Sequence, residues 1–403
     1  MTRVEIRDGG EGITQFEPLT IADGSKYRSE LNDLALELAE KSSGFRNSLP
    51  PATAAALSEL VRTMNCYYSN LIEGHNTHPI DIERALNQDY SENKEKRSLQ
   101  LEAFAHIEVQ KWIDEGGLEG RPTSAENLKE MHKRFCELLP PDLLILENPD
   151  TGETIDVVPG EFRTDDVRVG KHIAISPGAV PRFVERLDHG YTGLGRVGAI
   201  LAAACAHHRM LWVHPFADGN GRVARLMSYA MILQSLNTEG LWSVARGLAR
   251  NVEAYKGHLA ACDMERRNDL DGRGHLSEEA LAEFTKFFLQ TCIDQVTFME
   301  GLMRPERLRD RVMIWTEEQM RAKALPPKSD IVLKMVLYDG EVARADITKQ
   351  LGVNERTSAR ITSALLKMGV LTSKSTRAPL RLAFPATIAV SYTHLTLPTI
   401  CSV

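Results

Sequence analysis

The stretch His214-Pro215-Phe216-Ala217-Asp218-Gly219-Asn220-Gly221-Arg222-Val223-Ala224-Arg225 gathers an imidazole, a carboxylate, a glycine–asparagine–glycine turn and two guanidinium groups within twelve residues. The residues that follow (Leu226, Met227, Tyr229, Ala230, Met231, Ile232, Leu233) carry helical apolar spacing, so the turn sits at a helix N-terminus. Free backbone N–H groups and the positive end of the helix dipole make such a turn an anion site, and the glycines let the backbone approach a phosphate closely. Arg222 and Arg225 are three apart and converge on one face, suited to a polyphosphate. Asp218 is placed to hold a divalent cation against phosphate oxygens, and His214 to take a proton from an incoming nucleophile. Together these residue types point to nucleotidyl or phosphoryl transfer. A metal site built from His207, His208, His214 and Asp218 is the weaker reading, because adjacent helical residues point in different directions. His207 and His208 are expected to pack.

This run resembles the signature of Fic-domain proteins, His-x-Phe-x-Asp/Glu-Gly-Asn-Gly-Arg-x-x-Arg, and matches every specified position. The family usually transfers AMP from ATP to a Ser, Thr or Tyr hydroxyl of a protein. The resemblance implies that His214 is the base and that Asp218 holds Mg²⁺ at the α- and β-phosphates. It further implies that Gly219, Asn220 and Gly221 form the anion hole, with Val223 and Ala224 completing the loop. Arg222 would then contact the phosphates and Arg225 the γ-phosphate. Phe216 would be a core anchor.

Two more segments extend the resemblance. Ser69-Asn70-Leu71-Ile72-Glu73-Gly74 matches the family's inhibitory pattern, Ser/Thr-x-x-x-Glu-Gly/Asn. Its setting is helical: Pro51 suits a first turn, Ala54, Ala55, Leu57, Leu60, Val61 and Met64 carry the period, and Gly74 suits a C-terminal cap. By resemblance Glu73 pairs with Arg225 and blocks γ-phosphate binding, with Ser69 bracing the pair. Gly160 to Gly170 resembles the family's flap, in which Val167, Arg168, Val169 and Gly170 cover the nucleotide and align the target by strand addition. Tyr255, in Asn251-Val252-Glu253-Ala254-Tyr255, is expected either to face the adenine or to pack.

The rest of the chain must position this chemistry. With 403 residues, 43% hydrophobic and 26% charged, it has the make-up of a soluble globular protein of two or three domains. The net charge of −7 argues against bulk nucleic-acid binding. No apolar run approaches the ~20 residues that span a bilayer, and the first residues show no signal-peptide core. The six cysteines are scattered singly, without metal or redox-pair spacing, and fit reduced thiols in a cytoplasm.

Helical periodicity is expected over Tyr27 to Lys41, over 50–74, from Asp81 to Leu86, over 95–115, and from Ser124 to Leu139. It returns from Val184 to Leu187, from Val197 to Leu211, and over 230–305. The fold class is therefore mainly α with a small β-hairpin flap. Asn268 to Gly274 departs from a calcium loop, since Arg267 would fall at the first ligand position, and reads as a polar connection. Past Leu325-Pro326-Pro327-Lys328 the character changes: residues 326–385 carry ten Lys/Arg against five Asp/Glu, about +5, leaving about −12 elsewhere. Ala345 to Leu351, Gly352-Val353 and Asn354 to Met368 read as helix, turn, helix, and Val370 to Thr372 and Leu380 to Leu382 as wing strands. This resembles a winged helix-turn-helix, with Arg356, Thr357, Ser358 and Arg360 on the recognition helix and DNA or protein as its partner. Val390 to Thr399 looks like a translated sequencing adapter rather than evolved protein.

The expected organisation is an N-terminal helical region over 1–95 with an inhibitory helix at about 51–74, a catalytic domain over 96–310, a winged helix over 326–389, and a non-native tail over 390–403. The expected activity is a cytoplasmic protein adenylyltransferase, autoinhibited by Glu73. It would use ATP and Mg²⁺ and act on a protein hydroxyl, itself included, with no membrane partner. By resemblance, a homodimer could control the inhibition. Two alternatives stay open: removal of AMP from modified proteins at the same site, and a nucleotide-sensing DNA-binding regulator.

Overall fold

The computed structural model describes residues 6–75, 77–147, 152, 154–303, 305–376 and 378–383. The tail over 390–403 and the end of the winged-helix expectation lie outside these residues. The body is mainly helical, as the periodicity predicts. In chain order the first helices are α1 (Arg28–Asn47), α2 (Pro51–Ile72), α3 (Pro79–Leu86), α4 (Lys94–Asp114) and α5 (Ala125–Cys136). Two short antiparallel ribbons follow, β1 (Ile145–Glu147) with β2 (Thr154–Asp156) and β3 (Arg168–Val169) with β4 (His172–Ile173). Then come α6 (Val180–Gly190), α7 (Arg196–Val213), α8 (Asn220–Leu236), α9 (Ala245–Arg250), α10 (Val252–Cys262), α11 (Glu278–Met303) and α12 (Pro305–Arg321). The last elements are α13 (Ser329–Asp339), β5 (Glu341–Val342), α14 (Arg344–Leu351), α15 (Glu355–Lys367), β6 (Leu371–Thr372) and β7 (Leu380–Leu382).

The helix starts follow local chemistry. Asn93 caps α4 by accepting from the Lys96 N–H at 3.0 Å, and Ser124 caps α5 by accepting from Asn127 at 3.2 Å. Asn354 caps α15, accepting from Thr357 at 2.9 Å. The reading of one hairpin undercounts: β1–β2 has exposed, short strands that leave little periodic signal. The expected flap over 160–170 is only partly ribbon, because its first half is a loop fastened elsewhere, as shown below.

The chain forms two compact units. One comprises residues up to Ser43, Asn65–Thr238 and Ser243–Gln295; the other comprises Gly44–Met64, Glu239–Trp242 and the residues from Val296 onward. The first unit is built on α7 packed against α8. Every residue of α7 from Ile200 to Met210 is buried, as is every residue of α8 from Arg222 to Ile232, which marks two central helices rather than surface ones. His207 and His208 pack within this core: His207 Nδ1 lies 3.0 Å from Ser228 Oγ, and His208 Nε2 lies 3.0 Å from Asp263 Oδ1. In the second unit α13, α14 and α15 pack with a sheet of order β5-β7-β6 around Val336, Ile347, Ile361, Leu365 and Leu380. Gly352, at φ 57°, ends α14 in the left-handed conformation that glycine tolerates best.

Candidate active site

The site forms where α7 stops and α8 starts. His214 closes α7 in the left-handed region, at φ 50° and ψ 62°, an uncommon and strained conformation for a non-glycine residue. Its ring Nδ1 lies 3.3 Å from Leu211 O, and burial lowers its pKa to about 4, so the ring is neutral at pH 7 with Nε2 outside that contact. Phe216 anchors the following loop. It is fully buried, and its ring stacks on His132 of α5 at 4.0 Å with an interplanar angle of 5°.

Asn220 closes the loop on itself. Its Oδ1 accepts the Phe216 N–H at 3.0 Å and its Nδ2 donates to Phe216 O at 2.8 Å. The asparagine thus satisfies both backbone groups of the buried anchor, as a neighbouring strand would. Gly219, at φ 74°, makes the turn into α8. The backbone N–H groups of the first turn of α8 are left pointing at the loop, as at any helix N-terminus. Asp218 stands exposed beside them, and its carboxylate has no partner among the described residues. No cluster of three or more His, Cys, Asp or Glu suited to a metal occurs among the described residues. The lone free carboxylate beside an anion-binding turn is the donor set expected of Mg²⁺ carried largely by phosphate oxygens, so Asp218 fits that role.

Both arginines are buried, and each has a carboxylate partner. Arg225 donates from Nε to Ser69 Oγ at 2.8 Å and from Nη2 to Glu73 Oε1, which meets it in a short ion pair. The Arg225 guanidinium holds the Glu73 carboxyl below its ordinary range, against the burial that would raise it. Glu73 also reaches the helix start itself, since a methyl group added at Gly221 would collide with its Oε1. Its carboxylate therefore lies where an anion at the α8 N-terminus would lie. Arg222 donates from Nη2 to Glu102 Oε2 at 2.6 Å, and its guanidinium lies 5.0 Å over the Phe135 ring. The same Glu102 oxygen is 2.8 Å from His75 Nδ1. Glu102 raises the His75 pKa, while His75 and Arg222 lower that of Glu102 despite burial.

The ribbon is tied to the loop by a residue without an assigned role in the sequence reading. Arg163 is 4% exposed; its N–H donates to Pro215 O at 2.9 Å and its Nε to His214 O at 2.8 Å, while Nη1 and Nη2 reach Asp165 O and Ile175 O. One guanidinium thus joins both ends of the ribbon segment to the base-bearing turn. His172 of β4 adds a bond from Nε2 to Trp212 O at 2.8 Å. In the ribbon, Val167 is half-buried and Arg168, Val169 and Gly170 are exposed.

The structure therefore brings His214, Asp218, Gly219, Asn220, Gly221, Arg222, Arg225, Ser69 and Glu73 to one place. Val223 and Ala224 face the core, 1% and 0% exposed, so any part they take is through their backbone. Of the two readings of Tyr255, the geometry is that of packing: the side chain is 2% exposed with its hydroxyl 2.7 Å from His207 Nε2. Sequence reasoning missed Glu102, His75, His132 and Arg163. None has a local signature, since each acts across 27 residues or more.

Comparison with known proteins places this geometry. Residues 122–232 match the Fic/DOC family. The chain is similar to the protein adenylyltransferase Fic of Drosophila mojavensis, 32% identical over 96 residues, which span 23% of this chain and 19% of that protein. The corresponding protein of Drosophila willistoni is 33% identical over 98 residues, again 23% of this chain and 19% of that protein. The match thus covers about a fifth of these relatives. Among solved structures, a Fic family protein from Desulfovibrio desulfuricans G20 superposes with a TM-score of 0.52 at 16% identity, covering 90% of this chain and 98% of that one. Fic-1 from C. elegans superposes at 0.50 with 17% identity over 69% and 74% of the two chains. These likenesses are of fold.

Proposed function

We propose that this chain, which carries a Fic domain, is a protein adenylyltransferase held back by its own Glu73. The observation that supports this reading best is the seating of the Glu73 carboxylate on Arg225 and against Gly221, at an otherwise complete anion-binding helix start. In the reaction, the phosphates of ATP lie on the α8 N-terminus and on Arg222 and Arg225. Asp218 would hold Mg²⁺, which would supply charge neutralisation at the phosphates. A target hydroxyl enters along the exposed edge of β3–β4. Neutral His214 takes its proton, the oxygen attacks the α-phosphorus, the bond to the β-phosphate oxygen breaks, and pyrophosphate leaves. Helix dipole, backbone donors and arginines stabilise the charge that develops. Arg163 keeps the base-bearing turn and the ribbon in register.

The test is incubation of wild type, Glu73→Gly and Glu73→Gly/His214→Ala with α-labelled ATP and Mg²⁺, read by intact mass. Glu73→Gly is expected to gain AMP, wild type to gain little, and the double variant none. Labelling that survives loss of His214 would sink the assignment of the base. Release of AMP from a modified protein by wild type alone would favour hydrolytic removal of AMP, with Glu73 orienting the water that attacks phosphorus and the protein hydroxyl leaving.

A second reading concerns the other unit. Its order of helix, strand, two helices and two strands supports a winged helix, and Arg356, Arg360 and Lys367 form an exposed stripe on α15 without ion-pair partners among the described residues. Such a stripe suits phosphates of duplex DNA.

A further inference from the structure

Arg222 and Arg225 are held by carboxylates in two different ways. Glu73 sits one residue past the C-terminal end of α2, its side chain 33% exposed, and is followed by Gly74 at φ 87°. A carboxylate on such a turn can swing out. Glu102 lies in the middle of α4, its side chain 12% exposed, between buried Gln100, Ala103 and Ala105. Its backbone is held within a helix rather than at a turn.

The Arg222 guanidinium is fixed on three sides. Phe135 lies under its face, Glu102 takes Nη2, and Nε is sealed from solvent without a partner. Only Nη1 remains, without a partner among the described residues. An arginine held this way presents one N–H edge in one direction, with its rotamer entropy already lost before a ligand arrives. Meanwhile His75 is bonded to the same oxygen of Glu102 from the strand of chain that leaves Gly74. That bond ties the Glu73-bearing turn to the rigid helix.

We infer that Glu102 is a positioning residue with two opposed effects: it orients Arg222 for the nucleotide phosphates, and through His75 it latches the inhibitory turn in place. The inference rests on the adenylyltransferase reading above. Glu73 is then the removable partner and Glu102 the permanent one. Loss of the latch releases inhibition, whereas loss of Glu102 impairs the released enzyme.

The experiment measures AMP incorporation and the affinity for a fluorescent ATP analogue, with melting temperature recorded for every variant. His75→Ala is expected to raise automodification several-fold in the wild-type background and not to raise it in Glu73→Gly, where the turn no longer inhibits. Glu102→Ala in the Glu73→Gly background is expected to lower transfer by roughly 10²-fold, the usual effect of a misplaced group, and to weaken analogue binding. Glu102→Gln retains an oxygen acceptor for Nη2 and is expected to recover most of that loss, which a merely structural role would not produce. Where Glu102→Ala fails to fold, Glu102→Gln against Glu102→Leu is read instead. Equal transfer and equal analogue affinity with and without Glu102 would overturn the positioning of Arg222. An unchanged rate in His75→Ala would overturn the latch. If Glu73→Gly itself acquires no AMP, the adenylyltransferase reading has failed. Analogue affinity then decides alone, and the inference falls if Glu102→Ala binds as tightly as its parent.

Discussion

Arg163 shows how one side chain can organise a site without touching a substrate. Its bonds to His214 O, Asp165 O and Ile175 O satisfy three carbonyls that no strand or helix would otherwise reach. Burial without a carboxylate contact lowers its pKa to about 10, so it stays charged at neutral pH, and those carbonyl dipoles solvate the charge. Arg163→Met keeps much of the volume but leaves three carbonyl acceptors unpaired, that of Ile175 buried and those of His214 and Asp165 half-buried. We expect it to destabilise the protein by about 2–4 kcal/mol and to lower transfer by Glu73→Gly more than tenfold. Chemical denaturation and the mass assay check both, and full activity with only a lowered melting temperature would remove Arg163 from the site's organisation. Asn220 is the complementary case. The motif resemblance assigns it to the anion hole, yet both its polar atoms are engaged by Phe216. It shapes the loop, and the donors facing an anion belong to the backbone.

At the scale of elements, the helices were readable because their apolar spacing and caps are local. Ser124 and Asn354 signal their own helix starts, and Val197 to Leu211 predicted the central helix within a few residues. The β1–β2 ribbon was not readable, because its short strands bury no residue and carry no period of two, whereas β3 falls within the segment read as a flap. The motif loop was legible because glycine, asparagine and arginine needs are met within a dozen residues. Glu102, His75 and Arg163 were not, because the contacts that define them are set by packing of α4, α5 and the ribbon. The α15 surface is a test of element-level reading. In the full chain, Arg356→Ala/Arg360→Ala is expected to weaken retardation of duplex DNA and to flatten the salt dependence of what remains by about two phosphate contacts, leaving AMP transfer intact. Retardation equal to that of wild type would exclude α15 as the contacting element.

For the molecule as a whole, buried imidazoles set the acid limit. His106 and His207 have pKa values lowered to about 3, and His132, His208 and His214 to about 4, each chiefly by burial. Below the ordinary value of 6.5 the unfolded chain binds protons that the folded one refuses. Their contribution is therefore complete above pH 6.5 and is lost as pH falls toward 4, at up to about 1.4 kcal/mol per pH unit for each ring. A steep fall in melting temperature between pH 6.5 and 4.5 is expected in calorimetry, and His106→Asn should make it shallower. A flat profile would show the rings to be protonated in the fold. The carboxylate on Arg225 has a further consequence for how the whole chain meets its substrate. If Glu73 inhibits as proposed, it is a competitor that is never diluted, because the backbone supplies it at a fixed effective concentration. On the proposed reading, ATP would bind productively only to the fraction of molecules whose turn is open, and its apparent dissociation constant would be the intrinsic one divided by that fraction. The ratio of nucleotide affinities in Glu73→Gly and wild type thus measures the opening equilibrium directly. On the same proposal, output would be tuned by shifting that equilibrium while ATP stays constant.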